Sequence, residues 1–233
     1  MKTYLLLLVS ALIIPNYSFA GGGDDPLLTL LFVDQLEIRT ADEDHPLVWD
    51  AEGWLGKDLH KLWLKTEGEY VDDAIAEAEL QLLYSRAIAP FWDLQVGWRG
   101  DLRPTPNRNW LAFGLRGLAP YFFDIDAALF LAENGRSAAR LQAEYEILLT
   151  QRLILVPDIE FNLYGKDDPA NGIGSGLSEI GVGLRLRYEI RREFAPYIGV
   201  DWIRRYGQTA DYARTAGEEV DDLQLVFGVR AWF

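Results

Sequence analysis

The sequence predicts an all-β fold, a transmembrane, antiparallel, up-and-down β-barrel of about twelve strands. Three observations carry this expectation. Apolar and polar residues alternate at period two along most of the chain. The connections between these runs are alternately long and short. The composition is acidic, rich in tryptophan and free of cysteine.

The N-terminus reads as an export signal over residues 1–20. Lys2 supplies a positive charge, Tyr4 to Ile14 is apolar except for Ser10, and Ser18-Phe19-Ala20 offers a small-residue cleavage site. The apolar run is too short to cross a bilayer, and no later stretch approaches the length of a membrane helix. A short lead-in over 21–27 then precedes a barrel over 28–233.

The strands are expected near 28–39, 47–54, 59–66, 74–85, 92–99, 109–116, 122–132, 138–148, 152–164, 178–190, 196–205 and 222–233. Trp92, Leu94, Val96 and Trp98 alternate with Asp93, Gln95, Gly97 and Arg99. Ile180, Val182, Leu184, Leu186 and Tyr188 alternate with Glu179, Arg185, Arg187 and Glu189. The Ala/Glu-rich run at 74–86 has helix-forming residues, but Ala76, Ala78, Leu80, Leu82 and Tyr84 fall on one side at period two. The last strand puts Leu223, Leu225, Phe227, Val229, Ala231 and Phe233 on one face, and its terminal aromatic resembles the assembly signal of outer-membrane barrels.

Connections after odd-numbered strands are expected to hold five to sixteen residues, and those after even-numbered strands three to six. Long external loops, short periplasmic turns and an even strand number belong to outer-membrane barrels. Three short turns share a pattern: Ala89-Pro90-Phe91, Ala119-Pro120-Tyr121 and Ala195-Pro196-Tyr197. Proline is tolerated at a strand's start, and an aromatic suits the membrane interface.

Composition removes several functions. Of 233 residues, 49% are hydrophobic, enough for a folded chain. Acidic residues outnumber basic ones 36 to 22, so nucleic acid is an unsuitable partner. Without cysteine there are no disulfides, thiolate metal sites or cysteine nucleophiles. Methionine occurs once, at the start, and the two histidines are His45 and His60.

Twelve strands enclose a lumen between that of a packed eight-stranded barrel and that of a sixteen-stranded porin. Its expected lining carries Arg99, Arg116, Arg140, Arg185, Arg187 and Arg230 against Asp93, Asp124, Asp126, Glu144, Glu160 and Glu179. Such a lining is either a framework of ion pairs or a polar pathway for a small solute. The six long loops are expected to hold fifteen acids and five bases, so cations gather at the outer mouth or bridge it to lipopolysaccharide. Asp42, Glu43, Asp44 and His45 form a candidate metal site at this rim, through carboxylate and imidazole. His60 is expected at the other end of the barrel, so the two histidines do not share a metal.

Several segments resemble the copper resistance protein B family. They are Phe32-Val33-Asp34-Gln35-Leu36-Glu37, Val48-Trp49-Asp50-Ala51-Glu52-Gly53-Trp54, Lys61-Leu62-Trp63-Leu64-Lys65-Thr66-Glu67-Gly68-Glu69, and the runs 79–93 and 113–121. The resemblance covers about residues 27 to 233 in order. It implies an outer-membrane barrel in copper tolerance, either a conduit for copper or a copper(II)-binding surface protein, with copper ion as its metal and a periplasmic multicopper oxidase or copper chaperone as partner. Many members carry a Met/His-rich segment before the barrel, where this chain has only Gly21-Gly22-Gly23-Asp24-Asp25-Pro26. Copper(I) prefers sulfur ligands, so any direct site here is expected to be weak and to hold copper(II). The alternatives from other classes are a non-specific small-solute channel and an outer-membrane hydrolase using Asp42, Asp44 and His45. A non-enzyme is the expectation, because nothing places a second carboxylate pair opposite them.

Overall fold

The computed structural model describes residues 26–40 and 45–233. The export signal, most of the lead-in and Asp42, Glu43 and Asp44 lie outside the described residues. The strands are β1 (Leu28–Arg39), β2 (Leu47–Gly56), β3 (His60–Val71), β4 (Ala74–Ala89), β5 (Trp92–Arg103), β6 (Arg108–Ala119) and β7 (Phe123–Leu131). They continue as β8 (Ser137–Glu144), β9 (Ile147–Leu148), β10 (Leu153–Tyr164), β11 (Gly176–Tyr188), β12 (Phe194–Arg205) and β13 (Asp221–Trp232). Among the described residues one α-helix, α1 (Gly207–Ala216), lies between β12 and β13.

Every hairpin is antiparallel, and β1 pairs with both β2 and β13, so the sheet closes on itself. Closure removes the edge strands that a bilayer cannot hydrate. Because β8 and β9 both pair with β10, they form one interrupted wall strand, giving the twelve expected. Pro157 explains the interruption. Its carbonyl accepts from Tyr145 N at 3.1 Å, so its missing N–H also belongs to the β8 side. The ladder lapses at Tyr145 and Glu146 and resumes at Ile147.

Some strands run further than expected. β3 and β4 meet across two residues, Asp72 and Asp73, both at positive φ (50° and 62°), where a seven-residue loop was expected. That is the geometry of a tight hairpin turn. Glu67 to Val71 keep the alternation, and Gly68 lies opposite Trp49, whose indole occupies the space a Cβ would need. Likewise only 104–107 separate β5 from β6. Glu67, Glu69, Asp101 and Asp221 therefore stand in strands, not loops. The outer connections keep eleven acids against three bases.

The outer wall is apolar. Leu62, Leu64, Leu129, Leu184, Leu225 and Phe227 are all exposed, as lipid-facing residues must be. Inside, Trp63, Leu83, Trp110, Ala112, Phe130 and Ala138 form a buried apolar cluster that fills part of the lumen. No described helix is long and apolar enough to cross a membrane, which says nothing about crossing by strands.

Candidate functional site in the barrel lumen

Period two sends alternate side chains inward, so the lumen gathers polar residues from strands far apart in sequence. The densest cluster centres on Arg185 in β11. Its Nε donates to Glu37 Oε2 and its Nη2 to Glu37 Oε1, both at 3.1 Å. Nη1 reaches Asp158 at 2.7 Å and Nη2 reaches Asp201 at 2.9 Å. The Tyr197 hydroxyl and Arg39 Nε donate to Glu37 at 2.9 Å each. Glu37 is 0% exposed, yet both its oxygens are served.

A second network lies towards the outer mouth. Arg140 pairs with Glu67 and, at 3.0 Å, with Glu79, which also accepts Arg99 at 2.7 Å. Arg99 continues to Asp101 at 2.8 Å, and its guanidinium lies 4.4 Å from the Phe130 ring centroid. Nearby, Arg116 pairs with Glu52 at 2.5 Å and Lys65 with Asp126 at 2.7 Å. Towards the turn end, Glu146 accepts Arg187 at 2.6 Å and Arg230 at 2.9 Å, and Arg230 also holds Asp34 at 2.9 Å. The break after β8 is thus where Glu146 turns inward.

Between these networks lies a cavity of about 190 Å³. Ten carboxylates line it, against only Lys65, Arg116, Arg140 and Arg230. Asp124, Glu144 and Asp158 are direct neighbours across β7, β8 and β10. Like charges set opposite one another in a ladder oppose folding. Among the described residues, Asp50, Asp124 and Glu144 make no direct ion pair or side-chain hydrogen bond. The wall therefore carries carboxylates beyond those its own cations neutralise.

The expected lining is largely in place. Arg99, Arg116, Arg140, Arg185, Arg187 and Arg230 all make inward ion pairs, as do Asp93, Asp126, Glu160 and Glu179. Sequence reasoning missed Glu37, Asp34, Asp50, Glu79 and Asp201, although each sits at an inward position of an alternating strand. Of the rim candidates only His45 is described. It is exposed in the connection 40–46. His60 begins β3, beyond the far end of β2, so the two histidines are at opposite ends of the barrel. His60 shares the outward face with Leu62 and Leu64, and its Nδ1 hydrogen-bonds the Tyr84 hydroxyl at 2.5 Å. Among the described residues no three His, Cys, Asp or Glu side chains are grouped to hold a metal.

A closed antiparallel barrel with a lipid-facing apolar wall and a charged, partly filled lumen defines an outer-membrane barrel protein. The NanC porin has the same fold, with a TM-score of 0.57 at 10% identity over 88% of this chain and 99% of that one. The chain belongs to the copper resistance protein B family, whose profile, "Copper resistance protein B precursor (CopB)", matches residues 27–233. It is 47% identical over 210 residues to "Copper resistance protein B homolog" of Pseudomonas syringae pv. tomato, and 45% identical to "Copper resistance protein B" of Escherichia coli. Each match covers 90% of this chain and 71% of the relative. Membership of this family makes it a copper-resistance barrel of the outer membrane, not an enzyme.

Proposed function

We infer that the chain contributes to copper tolerance as a conduit that passes copper as a cation across the outer membrane. The observation that supports this most is the carboxylate excess around the cavity, with Asp124, Glu144 and Asp158 side by side. Such a wall concentrates cations, and a passing cation relieves the repulsion between neighbouring carboxylates. Oxygen donors without sulfur suit copper(II) rather than copper(I). In planar bilayers under a salt gradient, openings of the purified barrel are expected to be cation-selective. Asp124→Asn combined with Glu144→Gln should move the reversal potential towards zero. Anion selectivity, or a reversal potential indifferent to both substitutions, contradicts the reading. Ready permeation of neutral sugars in liposome swelling would favour a non-specific channel.

The outer rim supplies a second place for the same ion. His45 is exposed and follows Asp42, Glu43 and Asp44 in the sequence, which suits weak copper(II) capture ahead of the lumen. His45→Ala is expected to lower copper(II) uptake by the refolded protein, whereas His60→Ala is not. Uptake should fall with pH, because imidazole and carboxylates bind metal only when deprotonated. Copper(II) binding that depends on His60 would overturn the rim site. Export by a cleaved signal over 1–20, divalent bridging to lipopolysaccharide and delivery to or from a periplasmic multicopper oxidase or copper chaperone complete this reading.

A further inference from the structure

The connection 165–175 does not behave as a free surface loop. Asp168 at its root is only 4% exposed, whereas loops ordinarily run in solvent. Its carboxylate pairs with Arg108 at the start of β6 and, at 3.1 Å, with Arg136 in the β7–β8 turn. Arg108 alternates with Trp110 and Ala112 on the inward side of β6. The wall order is β6-β7-β8-β10, so a loop rooted on β10 is tied to a strand three places away. At roughly 4.8 Å per strand this is about 14 Å along the wall, so the loop leans over the mouth.

The loop is internally stiff. Asp168 N donates to Ile173 O at 2.6 Å, and Ile173 N returns to Asp168 O at 3.1 Å. Gly172 turns the chain at φ 65°. Ser175 N–H donates to Asp167 Oδ1 at 2.6 Å and holds that carboxyl below the usual carboxylate range. A segment so closed on itself moves as one body.

A second clamp comes from α1. Thr209 Oγ1 accepts from Gly174 N at 2.8 Å and hydrogen-bonds Ser178 Oγ at 2.8 Å. Thr209, Ala210 and Ala213 are the helix's buried face. A Cβ on Gly174 would collide with the Thr209 backbone, so only glycine lets the helix seat there. The connections 165–175 and 206–220 and the β7–β8 turn therefore interlock over the mouth.

The latch is poorly served compared with the Arg185 cluster. Among the described residues, buried Arg108 Nε, Asp168 Oδ1 and Asn171 Oδ1 have no hydrogen-bond partner. Buried polar atoms in that state penalise the closed arrangement, and opening hydrates them.

We propose that the connection 165–175 is a gate: latched by Asp168 to Arg108 and Arg136 it closes the outer mouth, and its release admits cations to the lumen. The gate rests on the conduit reading, since a lid matters only above a pathway. Asp168→Asn weakens the latch and should raise single-channel open probability several-fold over wild type in planar bilayers. The chain has no native cysteine, so Ser178→Cys with Thr209→Cys can form one defined disulfide, pinning α1 and the loop behind it. Oxidised, this variant should stay shut; dithiothreitol should restore the openings in the same molecules. That comparison does not depend on how well Asp168→Asn folds. If neither change alters gating while Glu144→Gln still shifts ion selectivity, the cap is static and the conduit stands without a gate. If no variant conducts any ion, the conduit reading fails and the gate fails with it.

Discussion

Arg185→Ala is expected to destabilise the barrel by about 3 kcal/mol, near the low end of the ~3–5 kcal/mol measured when one partner of a buried ion pair is removed. Arg185 serves Glu37, Asp158 and Asp201 together, and Glu37 has no contact with solvent. Removing the guanidinium leaves Asp158 without an ion pair among the described residues. Glu37 keeps Arg39 and Tyr197, and Asp201 keeps Arg39 at 3.5 Å, which holds the loss near the low end. From alternation alone an alanine here looks milder than an arginine on the lipid face, because the side chain is merely polar and inward. The three carboxylates around it raise its cost to that of an arginine on the lipid face. The measurement is urea unfolding in lipid vesicles, with heat-modifiable gel migration as a second readout. Arg185→Ala and Asp158→Ala should be strongly non-additive, because the double variant removes the charge that the first strands. A loss below about 1 kcal/mol would mean that water already carries these charges, as at exposed pairs.

The barrel was legible because alternation is local. Each strand declares its two faces within its own residues, and Arg99, Arg116, Arg140, Arg185, Arg187 and Arg230 could be placed inside from period two alone. What escaped was non-local. Glu37, Asp158, Asp201 and Arg185 come from β1, β10, β12 and β11, and no sequence spacing announces that they meet. The break after β8 is caused by Pro157 on the neighbouring strand, so β8's own residues read as continuous. Glu67 and Glu69 resemble loop residues because acids beside a glycine usually are; here both pair within β2–β3–β4, Glu67 lines the cavity and Trp49 packs over Gly68. α1 did leave a local signal, an alanine-rich run ending at Gly217 with φ 82°, but within a 16-residue expected loop it is easily passed over.

The same substitution on opposite faces of the wall should give opposite results. Leu184 is 41% exposed on the outer face of β11, two residues from the midpoint of a strand spanning Gly176–Tyr188. Arginine there puts a charge near the bilayer centre, and Leu184→Arg is expected to cost about 2–4 kcal/mol. Gln142 in β8 faces inward beside Asp126 and Glu160, and its Nε2 donates to Glu160 at 2.7 Å. Gln142→Arg brings a cation to carboxylates already in excess, so stability should stay within about 1 kcal/mol of wild type. Its effect should fall on permeation, lowering cation selectivity by adding a fifth base to the cavity wall. Vesicle unfolding and bilayer reversal potentials read the two effects separately. Equal destabilisation by both arginines would mean that inside and outside are not distinguished at these positions. A destabilised Gln142→Arg beside a tolerated Leu184→Arg would invert the wall altogether, and the carboxylate-lined pathway would then face lipid, where no cation could use it.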